Sequence, residues 1–230
     1  MTTQAPMTWE QAVDWARRTP EQAWLVEHCY YDDPIEAAAA RFLASEEWDG
    51  IRALLKPRAG DAVLEIGAGR GIVSHAFATL GCRVTALEPD PSAIVGAGAI
   101  RALCAATGRT IAIEETVGER LGFADGAFDA TLAPYLLPVV PDPARTLDEL
   151  ARVTRRGGEI VLVNHFGAET GPVAHVEAWI GRHSAALGWR PQFSFSIVTD
   201  WIAARADVRL IERRVVRPFG LFTLVRIARD

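Results

Sequence analysis

Residues 62–71 read AVLEIGAGRG. The first five are apolar apart from Glu65, the next five carry glycine at alternate positions (Gly67, Gly69, Gly71), and an apolar run of helical period, Ile72 to Leu80, follows at once. This order predicts a short buried strand, a tight turn and a helix. Glycine in such a turn lets the backbone adopt positive φ or approach a ligand where a Cβ would collide. The N–H groups of the helix start are left without intrahelical acceptors, so the turn is suited to a flat or anionic group.

Two acids refine this reading. Glu65 stands inside the apolar strand, where an unpaired carboxylate is costly to bury, so it requires a partner, and a cationic ligand in the turn is an economical one. Glu88 ends the next expected strand, Arg83 to Leu87 in RVTALEPDP. An acid about twenty residues past the glycines is placed to accept hydrogen bonds from the two ribose hydroxyls of a nucleoside. Pro89 and Pro91 end that strand and open the following helix.

Dinucleotide turns run G-x-G-x-x-G, whereas this one runs G-x-G-x-G with an acid in front, a spacing that disfavours a nicotinamide enzyme. The pattern resembles motif I of the class I S-adenosylmethionine-dependent methyltransferases. The resemblance implies S-adenosylmethionine as cofactor, with Glu65 answering the charge of its methionyl part and Gly67, Ala68, Gly69 and Gly71 forming the loop against which it lies. It further implies that Glu88, followed by Pro89, holds the ribose. Many relatives open the next loop with an aspartate for the adenine amino group; in this chain Val117 or Gly118 takes that place, which leaves Glu119 as a substitute or backbone groups alone.

The composition sets bounds. Of 230 residues 50% are hydrophobic, enough for one good core, and strands alternating with helices suit a single α/β domain. The net charge of −5 opposes general nucleic-acid binding, which needs a basic surface. Cys29, Cys82 and Cys104 are widely spaced and form no metal-ligand pattern, so free thiols in a reducing cytoplasm are expected. No basic segment followed by an apolar run opens the chain, and the apolar stretch from Ala130 to Val140 is too short to span a bilayer and contains Pro134 and Pro138. A cytoplasmic protein is expected, with at most peripheral contact with an anionic inner membrane surface. The oligomeric state is left open.

Residues 1–56 read as a helical extension or lid, and 57–230 as the cofactor-binding domain. Thr8 caps a helix from Trp9 to Arg18, Pro20 opens Glu21 to Cys29, Pro34 opens Ile35 to Ala44, and another helix runs to Lys56. These helices are expected to pack on the sheet edge or to cover the cofactor, with Tyr30 and Tyr31 as contacts. Beyond the glycine turn come a helix from Pro91 to Thr107, strands Thr110 to Thr116 and Phe128 to Ala133, and a helix over 143–155. A tight glycine turn at RRGG, a strand from Glu159 to Phe166 and a helix from Val173 to Leu187 follow. Strands Arg209 to Val216 and Leu221 to Ala228, joined at RPFG, form a hairpin, so the last strand is antiparallel in an otherwise parallel sheet. The expected fold is Rossmann-like, α/β, with seven strands.

Ligands of an open parallel sheet bind beyond the carboxyl ends of its strands, which selects Ala133, Pro134 and Tyr135, and Asn164, His165 and Phe166. Residues 133–143, 151–169, 187–193 and 210–220 resemble the C-terminal half of bacterial phosphatidylethanolamine N-methyltransferases of the soluble, peripheral type. That resemblance implies a lipid head-group amine, or a related small amine, as methyl acceptor. A phosphoethanolamine nitrogen is protonated near neutrality, so a base or a water path must take its proton, and His165 is the best-placed candidate by sequence. Tyr135 offers its ring to the methylated ammonium, a contact of about 0.5 to 2 kcal/mol. Arg205, Arg209, Arg213, Arg214 and Arg217 are candidates for a lipid phosphate or an anionic membrane, but strand alternation separates Arg213 from Arg214, and a solvated strand edge is the favoured explanation. The rival readings are a methyltransferase with a soluble oxygen or nitrogen acceptor, a nicotinamide oxidoreductase, and a protein that binds S-adenosylmethionine without catalysis.

Overall fold

The computed structural model describes residues 34–91, 96–115, 120–138, 140–164, 166, 193–216 and 222–230. Seven strands, β1 (Ala62–Ile66), β2 (Arg83–Leu87), β3 (Ala112–Glu114), β4 (Phe128–Pro134), β5 (Thr154–Asn164), β6 (Val208–Val216) and β7 (Phe222–Arg229), form one sheet in the order β3-β2-β1-β4-β5-β7-β6. The pairs from β3 to β5 are parallel, and β7 runs antiparallel to both of its neighbours. The expected seven-stranded α/β sheet with a reversed last strand is therefore the observed one.

Six helices are described: α1 (Ile35–Leu43), α2 (Glu46–Leu55), α3 (Ile72–Thr79), α4 (Ala97–Thr107), α5 (Pro143–Val153) and α6 (Ser196–Ala203). Their starts follow local chemistry. The Ser45 hydroxyl accepts the Trp48 N–H at 3.2 Å to cap α2, and Asp142 caps α5 with Pro143 in its first turn. Strand alternation sends side chains to two apolar layers. On one face Leu64, Ile66, Ile160 and Leu162 pack with Leu147 and Leu150 of α5 and Trp201 of α6. On the other, Val63, Val84 and Val161 pack with Phe77 of α3, Ile100 of α4, and Phe42 and Trp48 of α1 and α2. The Trp48 and Phe77 rings meet edge to face, 5.2 Å apart. Helices α1 and α2 thus belong to a sheet face.

Several boundaries depart from the sequence reading. The strand expected to begin at Glu159 begins at Thr154, and the glycines expected to make a turn lie inside β5 as a bulge, with Phe128 opposite Thr154 and Ala130 opposite Glu159. A Cβ on Gly158 would stand 2.6 Å from the Asp129 carbonyl oxygen, so backbone packing demands glycine there. Strand β3 is only three residues long. Pro91 is not helical, and α4 begins at Ala97, whose N–H donates to the Asp90 carbonyl at 2.7 Å. A Cβ on Gly96 would lie 1.9 Å from that oxygen. Helix α6 has no counterpart in the sequence reading. The helices expected over Trp9 to Arg18, Glu21 to Cys29 and Val173 to Leu187 lie outside the described residues.

Candidate active site

The turn after β1 is left-handed at all three glycines, with φ of 71° at Gly67, 54° at Gly69 and 72° at Gly71. Its amides are tied to the end of the neighbouring strand. Those of Gly67 and Ala68 donate to the Leu87 carbonyl at 2.9 and 3.1 Å, Gly69 donates to Oε2 of Glu88 at 2.6 Å, and Gly71 donates to the Ala68 carbonyl at 2.8 Å. The glycine turn and Glu88 are therefore one unit. A Cβ on Gly71 would stand 2.8 Å from Cγ1 of buried Ile100, so this glycine is required by the packing of α4. At Gly67 a Cβ would meet Cδ1 of Leu136 at 3.0 Å, which puts the loop after β4 against the glycine turn.

The two acids differ in setting. Glu65 is 1% exposed, and its Oε2 accepts the Ser74 hydroxyl of α3 at 2.5 Å. Burial pushes its carboxyl from 4.5 up to about 7; the Ser74 hydroxyl and amide oppose the shift, and the charge of Glu88 adds to it. Ser74 is the partner that the strand position of Glu65 requires, and the sequence reading missed it. Its signal was a serine in the first turns of a largely apolar helix that follows the strand carrying the acid. Glu88 is buried at the end of β2, where Oε2 takes the Gly69 amide and Oε1 the Asp90 amide at 3.0 Å. Each carboxylate oxygen has two lone pairs, so both retain an acceptor direction for a hydroxyl. Gly96, also missed, lets the start of α4 approach the Asp90 carbonyl, with which a Cβ would collide.

The carboxyl ends of β4 and β5 supply the second wall. Ala133 is fully buried, while Tyr135 is 49% exposed and left-handed at φ 57°, a conformation that a bulky side chain rarely adopts. The Tyr135 amide donates to the Val163 carbonyl at 2.6 Å, pinning the turn to β5. The next residue of β5, Asn164, is wholly buried and donates Nδ2 to the Ala133 carbonyl at 3.4 Å. Pro89 is exposed beside Glu88. Gly118, Glu119 and His165 lie outside the described residues, as does Arg217.

The other C-terminal arginines are engaged. Arg205 bonds Asp207 and Asp148, and Arg213 stacks 3.9 Å above the Phe195 ring. Arg214 and Arg209 lie 3.7 and 3.6 Å from Glu212 and Asp230. Among the described residues no helix is long and apolar enough to cross a membrane.

Known proteins share both sequence and fold with this arrangement. Residues 64–162 match the model of a methyltransferase domain family. A phosphatidylethanolamine N-methyltransferase of Cereibacter sphaeroides is 36% identical over 180 residues, 74% of this chain and 81% of the relative. An uncharacterized methyltransferase of Mycobacterium leprae is 34% identical over 137 residues, 57% of this chain and 49% of the relative. The fold is similar to that of the YcgJ protein of Bacillus subtilis, with a TM-score of 0.64 at 16% identity over 80% of this chain and 98% of that one. It is also similar to a SAM-dependent methyltransferase of Aquifex aeolicus, with a TM-score of 0.58 at 14% identity over 89% and 96%. The chain belongs to the class I S-adenosylmethionine-dependent methyltransferases and is an enzyme that takes S-adenosylmethionine as methyl donor.

Proposed function

We propose that this enzyme methylates the amine of phosphatidylethanolamine or of a closely related small amine. The observation that carries the proposal is the 36% identity, across 81% of its length, to a protein named for that activity. The donor set fits the cofactor: one acid beside the glycine turn suits a cationic end, and a second acid with free acceptor directions suits a ribose diol. Glu65, Gly67, Ala68 and Gly69 hold the methionyl side and Glu88 the ribose, with Gly71 fixing the turn on α4. Val117, Gly118 and Glu119 are left for the adenine.

When bound, the cofactor supplies an electrophilic methyl: the amine lone pair forms the N–C bond as the C–S bond breaks, sulfur leaves as a neutral thioether, and one proton leaves nitrogen. This displacement depends mainly on holding donor and acceptor at attack distance. Tyr135 and Asn164 flank the acceptor side, and His165, next in the chain, is the candidate for taking the proton. A ring face at Tyr135 favours the ammonium product. Residues 1–56 are proposed as a helical extension of the cofactor-binding domain, with α1 and α2 packed on a face of its sheet.

The test measures S-adenosylhomocysteine release with vesicles of phosphatidylethanolamine and phosphatidylglycerol, and with phosphatidylglycerol alone. Release only with the first, together with methylated lipid, supports the proposal. Intact cofactor binding without lipid-dependent release rejects the lipid and directs attention to soluble acceptors.

A further inference from the structure

Asn164 has a feature that its place in the sheet does not require. Its side chain is wholly buried, Nδ2 donates to the Ala133 carbonyl at 3.4 Å, and among the described residues Oδ1 has no hydrogen-bond partner. A buried acceptor left unpaired costs stability, and folded proteins keep few of them. The orientation is set by chemistry: the Ala133 carbonyl can only accept, so the amide must turn its N–H₂ that way and direct its carbonyl elsewhere. The unfilled position is therefore an acceptor, and what satisfies it must bring an N–H or O–H.

Its location narrows the choice. Asn164 is the last residue of β5, paired with Thr223 of β7 on one side. On the other side the strained Tyr135 turn is bonded to Val163, and Leu136 of that turn reaches the glycine loop at Gly67. This is the carboxyl edge of the sheet, where open α/β folds bind ligands, and the Tyr135 turn links it to the glycine loop.

Resting on the amine reading above, we propose that Oδ1 of Asn164 accepts an N–H of the methyl acceptor and so distinguishes primary and secondary amines from tertiary ones. The reacting nitrogen is neutral and aims its lone pair at the methyl group. A primary amine then keeps two N–H groups, a monomethylated amine one, and a dimethylated amine none. Asn164 consequently assists the first two transfers and contributes nothing to a third. An acceptor presenting only oxygen lone pairs, such as a carboxylate, would meet Oδ1 as a like dipole and be disfavoured.

The experiment compares wild type with Asn164→Leu, close in volume and without polar atoms, on vesicles containing phosphatidylethanolamine, its monomethyl derivative or its dimethyl derivative. Ethanolamine, N-methylethanolamine and N,N-dimethylethanolamine form a soluble series run in parallel. S-adenosylmethionine affinity is measured by calorimetry, and Asn164→Ala is carried alongside because it cannot overpack the site. The expected result is a fall in kcat/KM of about two- to tenfold, the worth of one neutral hydrogen bond, on the primary and monomethyl substrates. The dimethyl substrate and cofactor affinity should change by less than a factor of about two, within the scatter of such contacts. A purely structural role would lower all three substrates together.

Equal losses on the three substrates, or no loss on any, overturn the proposal, and Asn164→Ala decides by the same pattern if the leucine variant does not fold. Turnover of the soluble series alone removes the lipid from the proposed function and leaves the comparison to be read on those amines. Cofactor binding with turnover of neither series defeats the amine reading and this inference together.

Discussion

Replacing Glu65 by Gln should change stability in a pH-dependent way, because its carboxyl is wholly buried and burial raises its proton affinity. In the unfolded chain the carboxyl keeps its ordinary value of 4.5, whereas burial raises it to about 7 in the folded protein. Between these values the folded protein holds a proton that the unfolded chain releases. Stability from this residue is therefore fully present below pH 4.5 and is lost as pH rises through 7. The loss levels off above that, at roughly 3 kcal/mol for a fully buried group. Glutamine is neutral throughout and still offers an oxygen to the Ser74 hydroxyl, but its N–H₂ needs an acceptor, which costs about 1 kcal/mol.

Glu65→Gln should thus be about 1 to 3 kcal/mol more stable than wild type at pH 8.5 and no more stable at pH 4.5. Urea unfolding followed by circular dichroism at pH 4.5, 6, 7 and 8.5, without cofactor, measures both curves. A difference between the two proteins that does not vary with pH would refute the reasoning. With S-adenosylmethionine the sign reverses if Glu65 answers the cofactor's charge: the variant binds it more weakly, and wild-type affinity rises with pH as the carboxyl ionises.

Gly71→Ala places a left-handed φ of 72° on alanine and a methyl 2.8 Å from buried Ile100, and should destabilise the fold by about 2 to 4 kcal/mol in urea unfolding. A change below about 0.5 kcal/mol, the range of ordinary surface substitutions, would show that α4 can move aside. Glu88→Ala should weaken S-adenosylmethionine binding by about 1.5 to 3 kcal/mol in calorimetry, and an unchanged affinity would place the ribose elsewhere. Tyr135→Gly should raise stability by about 1 kcal/mol by relieving the left-handed strain while lowering turnover; a lower unfolding midpoint would mean that the side chain contributes more than the strain costs.

Much of the fold was legible because its cues are local. Strands β1 and β2 were read to the residue, since each is a short apolar run between a charged or polar start and a glycine or proline end. The reversed β7 followed from the two β-patterned runs separated by a short proline-glycine turn. Helix α6 was missed because Ser196–Ala203 is short and has no side-chain cap. The glycines of β5 looked like a turn, and their bulge depends on how closely the Asp129 backbone passes. The candidate site divides the same way. Glu65 could be named as an acid inside an apolar strand and Glu88 as an acid at a strand end, but neither their Ser74 and Gly69 partners nor the packing duty of Gly71 could be.

By itself, the sequence determined most of the element types, the glycine turn after β1, the two acids near it in the chain and the reversal of the last strand. Those features depend on side chains, glycines and prolines within a few residues of one another, and their conformational preferences act before the chain is packed. The tertiary structure alone decided the strand order, the raised proton affinity of Glu65, the left-handed Tyr135 and the unfilled acceptor of Asn164. Each of these is a property of distant segments brought together. Burial and a missing hydrogen-bond partner exist only once neighbours from other strands and helices have displaced water.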